Sequence, residues 1–242
     1  MRCRRTSAGR APEGKILMSL NAVLKVGGSL SHGENLASLC QKISSLGRRY
    51  SLLVVPGGGQ FADQVREAYR RYNLSETAAH RMALLAMDQY GYLLNQLIPG
   101  SSFTTNLLSA RQVVESGQVA VLLPSELVIQ ADPLPHSWKV TSDTIAAWVA
   151  HTAGCQRLIL LKDVDGLLGA KSAEHPRSTL IAELSVKKLA ERTGGVDEYF
   201  ASFLATVNLE TWVINGLRPE RLTELLETTH TTGTRIAGGG VA

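Results

Sequence analysis

Residues 22–59 read AVLKVGGSLSHGENLASLCQKISSLGRRYSLLVVPGGG. The runs Ala22 to Val26 and Ser51 to Val55 are short and almost wholly apolar, as strands covered on both faces are. Glycine follows each: Gly27-Gly28-Ser29 turns out of the first, and Pro56 with Gly57-Gly58-Gly59 ends the second. Between them Leu36, Leu39, Ile43 and Leu46 recur at helical spacing over roughly Asn35 to Leu46, and Gly47 is a stop signal. Strand, helix, strand in about thirty residues is a βαβ unit. It predicts an α/β protein with a parallel sheet.

The same reading extends along the chain. Helices are expected over Gln60 to Tyr72, from a Ser75 cap to about Leu97, and over Leu107 to Glu115, with a short element at Phe103 to Thr105. Val119 to Leu123 is a third buried strand, stopped by Pro124, and Ser125 to Lys139 reads as a loop containing Pro133 and Pro135. Thr141-Ser142-Asp143 opens a helix to Thr152, followed by the strand Arg157 to Lys162 and the turn Asp163-Val164-Asp165-Gly166. Further strands are expected at Leu180 to Leu184, Thr211 to Ile214 and Gly233 to Ile236. Helices are expected at Val186 to Arg192 and near Glu198 to Val207, and Pro219 stands where a helix N1 proline belongs.

At 242 residues and 44% hydrophobic content the chain can bury a substantial core. No apolar run reaches the roughly 18 residues of a membrane span, so no membrane partner is expected. Cys3, Cys40 and Cys155 are widely spaced, which argues against a disulfide framework or zinc site and for the reducing cytoplasm. The net charge of +4 sits wholly in residues 1–17, where Arg2, Arg4, Arg5, Arg10 and Lys15 face Glu13. The neutral remainder gives no electrostatic reason to expect nucleic acid. Residues 1–21 read as a disordered or mis-annotated extension, with Met18 an alternative start, and residues 22–242 as one domain.

Two glycine turns after successive strands bring backbone amides and helix N-termini to one edge, where phosphate binds. Neither is a Walker A loop or a GxGxxG motif. Lys25 interrupts a strand buried on both faces; snorkelling would explain an isolated lysine, but beside Gly27-Gly28 a charge aimed at a phosphoryl group is the better reading. Asp143 in a helix's first turn and Asp163 and Asp165 around Val164 are ordinary capping and turn residues taken singly. After strands on the ligand side, they can also orient lysines or serve Mg²⁺ on a nucleotide.

The segments Lys25-Val26-Gly27-Gly28-Ser29, Val55-Pro56-Gly57-Gly58-Gly59, Thr141-Ser142-Asp143 and Asp163-Val164-Asp165-Gly166 occur in the order and spacing of the amino acid kinase superfamily. The resemblance covers Ala22 to Ile236. Within that group the chain most resembles the [5-(aminomethyl)furan-3-yl]methyl phosphate kinases of methanofuran biosynthesis. The carrying features are His136-Ser137-Trp138, the His80 to Asp88 segment, Val196-Asp197-Glu198 after Gly194-Gly195, Val213-Ile214-Asn215-Gly216 and Pro219-Glu220-Arg221. The resemblance implies a three-layer α/β/α sandwich around a mainly parallel sheet, ATP with Mg²⁺, a small phosphate monoester as acceptor, and a homo-oligomer built through helices beside the sheet. It implies Lys25 at the transferring phosphoryl group, Asp143 orienting that lysine, and Gly27, Gly28 and Ser29 on the donor phosphates. Asp163, Asp165, Gly166 and Leu167 would form the nucleotide side. Gly57, Gly58, Gly59, His136, Trp138, Ser142 and Asp88 would form the acceptor side, with Trp138, Asp88 or Asp132 receiving the aminomethyl cation. Mg²⁺ would arrive on ATP, with no side-chain metal ligand assigned.

Two departures stand out. Many superfamily kinases carry a lysine soon after the glycine pair matching Gly194-Gly195, and none follows here. Conversely Lys162 stands where a threonine usually precedes Asp-Val-Asp-Gly, so Lys162 is expected to supply the missing charge. Isopentenyl phosphate, a nucleoside monophosphate, or a non-catalytic nucleotide- or oxyanion-binding role stay open as alternatives, because fold alone does not establish function.

Overall fold

The computed structural model describes residues 19–33, 35–169 and 179–238. Of the expected N-terminal extension, residues 1–18 lie outside the described residues. The opening unit is β1 (Ala22–Val26), a 3-10 helix (Gly28–His32), α1 (Leu36–Gly47) and β2 (Leu52–Pro56), close to the limits that the apolar runs predict. Next come α2 (Gly59–Tyr72), α3 (Glu76–Leu97), β3 (Ser101–Thr104), α4 (Leu107–Glu115) and β4 (Val119–Leu122). After these follow α5 (Ser125–Ala131), α6 (Ser142–Thr152) and β5 (Arg157–Lys162). The chain continues through β6 (Glu183–Ser185), α7 (Val186–Ala190), α8 (Phe200–Leu204), β7 (Glu210–Asn215), α9 (Glu220–Thr228) and β8 (Gly233–Ala237).

The strands form one sheet in the order β3-β4-β2-β1-β5-β7-β8-β6. Among the described residues every neighbouring pair is parallel except β7–β8. Alternate residues of each strand feed two cores. Val23, Val55, Leu158 and Leu160 pack with α4, α6, α7 and α8, whereas Leu24, Val26, Val54 and Leu161 pack with α1, α3 and α9. Helix α1 thus links β1 to β2 on one face, and α6 feeds β5 from the other. β1 and β5 are neighbours, so the chain reverses its winding there and leaves a crevice at their carboxyl ends, where ligands bind in such sheets.

Two expectations need correction. Ser125 to Lys139 is not all loop, because Ser125–Ala131 is a helix with Pro124 as N-cap and Val128 buried. A proline that stops a strand is equally suited to open a helix, since its missing N–H is not needed there. The segment Leu180 to Leu184 yields only a bridge from Leu180 to Leu168 and a strand from Glu183. Helix α3 begins as expected, with Ser75 accepting from the Ala78 N–H at 3.2 Å. Gly91 lets its middle lie on the sheet's carboxyl edge, since a Cβ there would meet Leu123 Cδ2 at 2.6 Å.

Candidate active site

Strand parity sets the charged centre. Lys25 shares its face of β1 with Val23, and Lys162 shares its face of β5 with Leu158 and Leu160. Both lysines therefore point toward α6, whose first turn carries Asp143. Lys25 Nζ lies 2.8 Å from Asp143 Oδ1, and Lys162 Nζ donates to Oδ2 at 2.7 Å. The first contact is coulombic, its angles falling outside hydrogen-bond geometry. Lys25 and Asp143 are 4% and 3% exposed. Removal from water is costly for each charge, so neither is stable there without the other. Burial pushes the Lys25 ammonium below its ordinary value against the pull of Asp143. For Asp143 burial acts upward, but the two lysines outweigh it and hold the carboxyl down to about 2. One carboxylate thus holds two cations at the crevice, and their ammonium groups suit phosphate oxygens.

The glycine loops meet beside this centre. Gly27 N–H donates to Leu161 O and Gly57 N–H to Val26 O, both at 2.8 Å. A Cβ on Gly28 would lie 2.3 Å from Gly59 N, and one on Gly57 would lie 2.7 Å from Gly28 N. Backbone packs on backbone, so these glycines are needed for the loops to touch at all. Helix α2 starts at the second loop with no side-chain cap, which leaves first-turn amides for an anion.

The turn after β5 is held from outside. Ser29 Oγ donates to Asp163 at 2.9 Å, and Asp165 accepts from Asn215 Nδ2 at 2.8 Å and Arg221 at 2.7 Å. Hydrogen bonds from Asn215 and Arg221 keep the Asp165 carboxyl below its usual range. Gly166 takes a φ of 149°, and Leu167 N–H donates to Thr234 Oγ1 at 2.7 Å. Leu167 is buried in the core, so its side chain anchors the turn, and the exposed residues are Asp163, Val164 and Asp165.

Next to the loops lies a cavity of about 410 Å³. Gly28, Ser29, Gly58, Gly59, Ser142 and Trp138 contribute to its wall, together with one stripe of α3: Glu76, Ala79, His80, Ala83, Leu84 and Met87. Lys25, Asp143 and Lys162 are not part of that wall. Two acceptor-side expectations are redirected. Asp88 is turned away, bonded to the Ser125 N–H at 3.1 Å and to the Ser125 hydroxyl at the start of α5. His136 stands behind the wall, stacked on His80 at 4.6 Å and held by Asp132 at 2.8 Å and Thr77 at 3.0 Å. Burial and the neighbouring His136 lower the His80 imidazole below its ordinary value. The face of Trp138 is covered by the Arg66 guanidinium at 5.0 Å, with Tyr69 edge-on at 5.7 Å. Neither Asp88, Asp132 nor Trp138 is thus left free for an acceptor cation; the acids on the wall are Glu76 and Asp63, and Asp63 is paired with Arg66 at 2.8 Å.

Sequence reasoning missed the roles of Arg66, Glu76 and Asp197. Arg66 and Glu76 lie on helix faces that periodicity marks as solvated. Asp197 is tied to Thr144 across 53 residues, a partnership without a local signal.

The chain belongs to the amino acid kinase family, whose model matches residues 22–214, and it is accordingly a kinase. Among curated relatives, the [5-(aminomethyl)furan-3-yl]methyl phosphate kinase of Methanocaldococcus jannaschii is 28% identical over 216 residues, 89% of this chain and 97% of that protein. The uridylate kinase of Methanothermobacter thermautotrophicus is 24% identical over 226 residues, 86% of this chain and 96% of that one. Among solved structures, the uridylate kinase from Archaeoglobus fulgidus superposes with a TM-score of 0.70 at 22% identity, covering 90% of this chain and all of that one. The UMP kinase from Ureaplasma parvum gives 0.71 at 16% identity, covering 91% and 99%. At these identities the structural likenesses establish the fold.

Proposed function

We propose that this kinase transfers the γ-phosphoryl group of ATP to the phosphate of a small monoester, forming a diphosphate, and that the acceptor is [5-(aminomethyl)furan-3-yl]methyl phosphate. One observation carries the reaction class: a buried carboxylate holds two lysines where two glycine loops touch. A phosphate monoester, with a second pKa of about 6, is already an anionic nucleophile near neutral pH. The protein then has only to align two phosphates and neutralise them. In this reading Lys25 and Lys162 bind the phosphoryl group in flight and the β-phosphate. Gly28 and Ser29 contact the donor, and Gly58, Gly59 and Ser142 hold the acceptor phosphate, whereas the Gly27 and Gly57 amides, already donating to Leu161 O and Val26 O, shape the two loops.

Among the described residues no three His, Cys, Asp or Glu side chains converge as a metal cage. Mg²⁺ arriving on ATP would face Asp163 and Asp165, the exposed carboxylates of the turn after β5, and would screen the charge shared between the two phosphates.

The acceptor assignment is supported by the relative at 28% identity and by the surfaces that the cavity combines. Gly28, Gly58 and Gly59 share its wall with the apolar Ala83, Leu84, Met87 and Ile145 and with His80 and Glu76, which lie one turn apart on α3. That combination suits a phosphate, a flat ring and an ammonium group. The test is ATP consumption with the aminomethylfuran phosphate, isopentenyl phosphate and UMP. The first should be preferred by at least tenfold, and Glu76→Gln should raise its KM about fivefold, the ~1 kcal/mol of a solvent-exposed ion pair. Preference for UMP would make the chain a uridylate kinase, and no turnover with any acceptor would leave a nucleotide-binding role.

A cytoplasmic location belongs to this reading; among the described residues no helix is long and apolar enough to cross a membrane. We further propose a homo-oligomer, since Leu85, Tyr92 and Phe103 form an exposed apolar row on α3 and β3, with Tyr92 and Phe103 in edge contact at 5.2 Å. Sedimentation should show a dimer or larger that Tyr92→Glu weakens; a monomeric wild type overturns it.

A further inference from the structure

Helix α6 carries the carboxylate on which both lysines depend, yet its own N-cap residue, Thr141, makes no side-chain cap. The cap comes from elsewhere. Asp197 Oδ2 accepts from the Thr141 N–H at 3.1 Å and from the Thr144 N–H at 3.0 Å. These are the N-cap and N3 amides, the two that a capping box satisfies with its own Ser or Thr and its own Glu. The two hydroxyls add to the hold, Thr141 Oγ1 donating to Oδ2 at 3.1 Å and Thr144 Oγ1 to Oδ1 at 2.6 Å. Asp143 is the N2 residue, bracketed between the two anchored positions.

The loop that brings Asp197 is itself fixed at both ends. Gly195, at a φ of 87°, lies so close to Leu167 that a Cβ would meet Leu167 Cδ2 at 2.4 Å. At the other end Tyr199 N–H donates to Lys139 O at 3.1 Å, on the segment that leads into α6. One short loop therefore touches the turn after β5, the acceptor-side loop and the start of α6.

A second carboxylate this near Asp143 is electrostatically unfavourable. Burial first, and Asp143 second, push the Asp197 carboxyl above its usual range. The four hydrogen bonds and the α6 dipole oppose that cost. The arrangement also has a use, because a second negative charge favours the ammonium form of Lys25, leaving Lys25, Lys162, Asp143 and Asp197 balanced.

We propose that Asp197 is the positioning residue of this site: capping α6 from a distant loop, it holds Asp143 where one carboxylate meets both Lys25 and Lys162. The effect on turnover rests on the kinase reading above; the effect on the lysines does not. Asp197→Ala removes cap and charge and should lower kcat about 30-fold with the KM for ATP within about threefold, as a small displacement of aligned groups does. Asp197→Asn can keep the cap, with its oxygen toward the amides and its NH₂ toward Thr144 Oγ1, and should recover most of kcat at neutral pH. Both variants lose the charge. The groups facing Lys25 are Asp143 on α6, Lys162 on β5 and Asp197 on the loop, so without Asp197 the Lys25 ammonium should titrate lower.

The lysine side-chain resonances, followed by NMR from neutral to alkaline pH, read this without any substrate. A Lys25 titration lowered further in Asp197→Ala, which loses cap and charge, than in Asp197→Asn, which loses charge alone, with kcat recovered by asparagine, is the expected result. A cap that serves only the fold would lower Tm but leave the two variants with equal Lys25 titrations and kcat at the wild-type value, and that result overturns the proposal. Should the alanine variant not fold, Thr144→Val, which removes one bond of the cap and keeps the charge, decides instead: the Lys25 titration and kcat should both move, and wild-type values for both overturn the proposal. If the wild type turns over no monoester, the kinase reading fails, and the same titration still decides the role of Asp197.

Discussion

Asp143→Asn is expected to lower kcat about 10²–10³-fold, the loss seen when one preorganised electrostatic contact to a transition state is removed. The change is nearly isosteric, so the effect is one of charge. Two lysines that shared a carboxylate would face each other across a neutral amide, and Lys25, being buried, would shed its proton. Removing one member of a buried ion cluster should also cost about 3 kcal/mol, which for a chain of this size lowers Tm by about 6–12 °C. The pH dependence has a definite sign. Asp143 has a folded pKa of about 2, below its unfolded value, so its contribution is present above about pH 4 and is lost as the pH falls toward 2. The Tm gap between wild type and variant should therefore close in acid, as calorimetry would show. By contrast Lys162→Met leaves the Lys25–Asp143 pair in place. Its side chain is 16% exposed, so stability should fall by less than in Asp143→Asn while kcat/KM for ATP falls about tenfold. Full turnover in Asp143→Asn would remove the carboxylate from the mechanism.

Much of this geometry was legible in the sequence, for a physical reason. Strands alternate faces strictly, so Lys25 goes with Val23, and Lys162 with Leu158 and Leu160, while the register that sets Lys25 beside Leu160 and puts both lysines on one side comes from the fold. A helix that enters β5 must pack on a face of that sheet, and an acidic first turn then lies near the strand ends. Glycine turns after two successive strands likewise have a local cause. The residues that eluded sequence reading have none. Asp88 is expected on the acceptor side through the resemblance of the His80 to Asp88 segment, but a serine 37 residues later claims its carboxylate. Trp138 looked like a cation receptor and is covered by Arg66 from another helix. Asp197 entered through a resemblance in its segment, where the expectation concerned an absent lysine. Loops that cross between elements choose their partners in three dimensions, and periodicity does not reach them.

Gly28→Ala should be nearly as damaging as the loss of Asp143, by a different route. The added Cβ would lie 2.3 Å from Gly59 N and 2.5 Å from Gly59 Cα. Both contacts are backbone, so no side chain can rotate out of the way, and the loops must separate by roughly an ångström, the difference from an ordinary contact. The Gly28 loop serves the donor and the Gly59 loop the acceptor in the proposed reaction, so their separation lengthens the path of the transferred group. A displacement of that size costs about 10²-fold in rate, and kcat/KM should fall for ATP and acceptor together. Overpacking should add about 1–3 kcal/mol of instability, so activity has to be measured well below the lowered Tm. Gly100→Ala supplies the control, since nothing lies within 4 Å of a Cβ there but φ is 72°. It should lose about 1–2 kcal/mol to left-handed strain and keep its turnover. If the two variants lost stability equally and both kept their kcat/KM, contact between the loops would have no part in catalysis. The glycines would then be needed only for the backbone to turn.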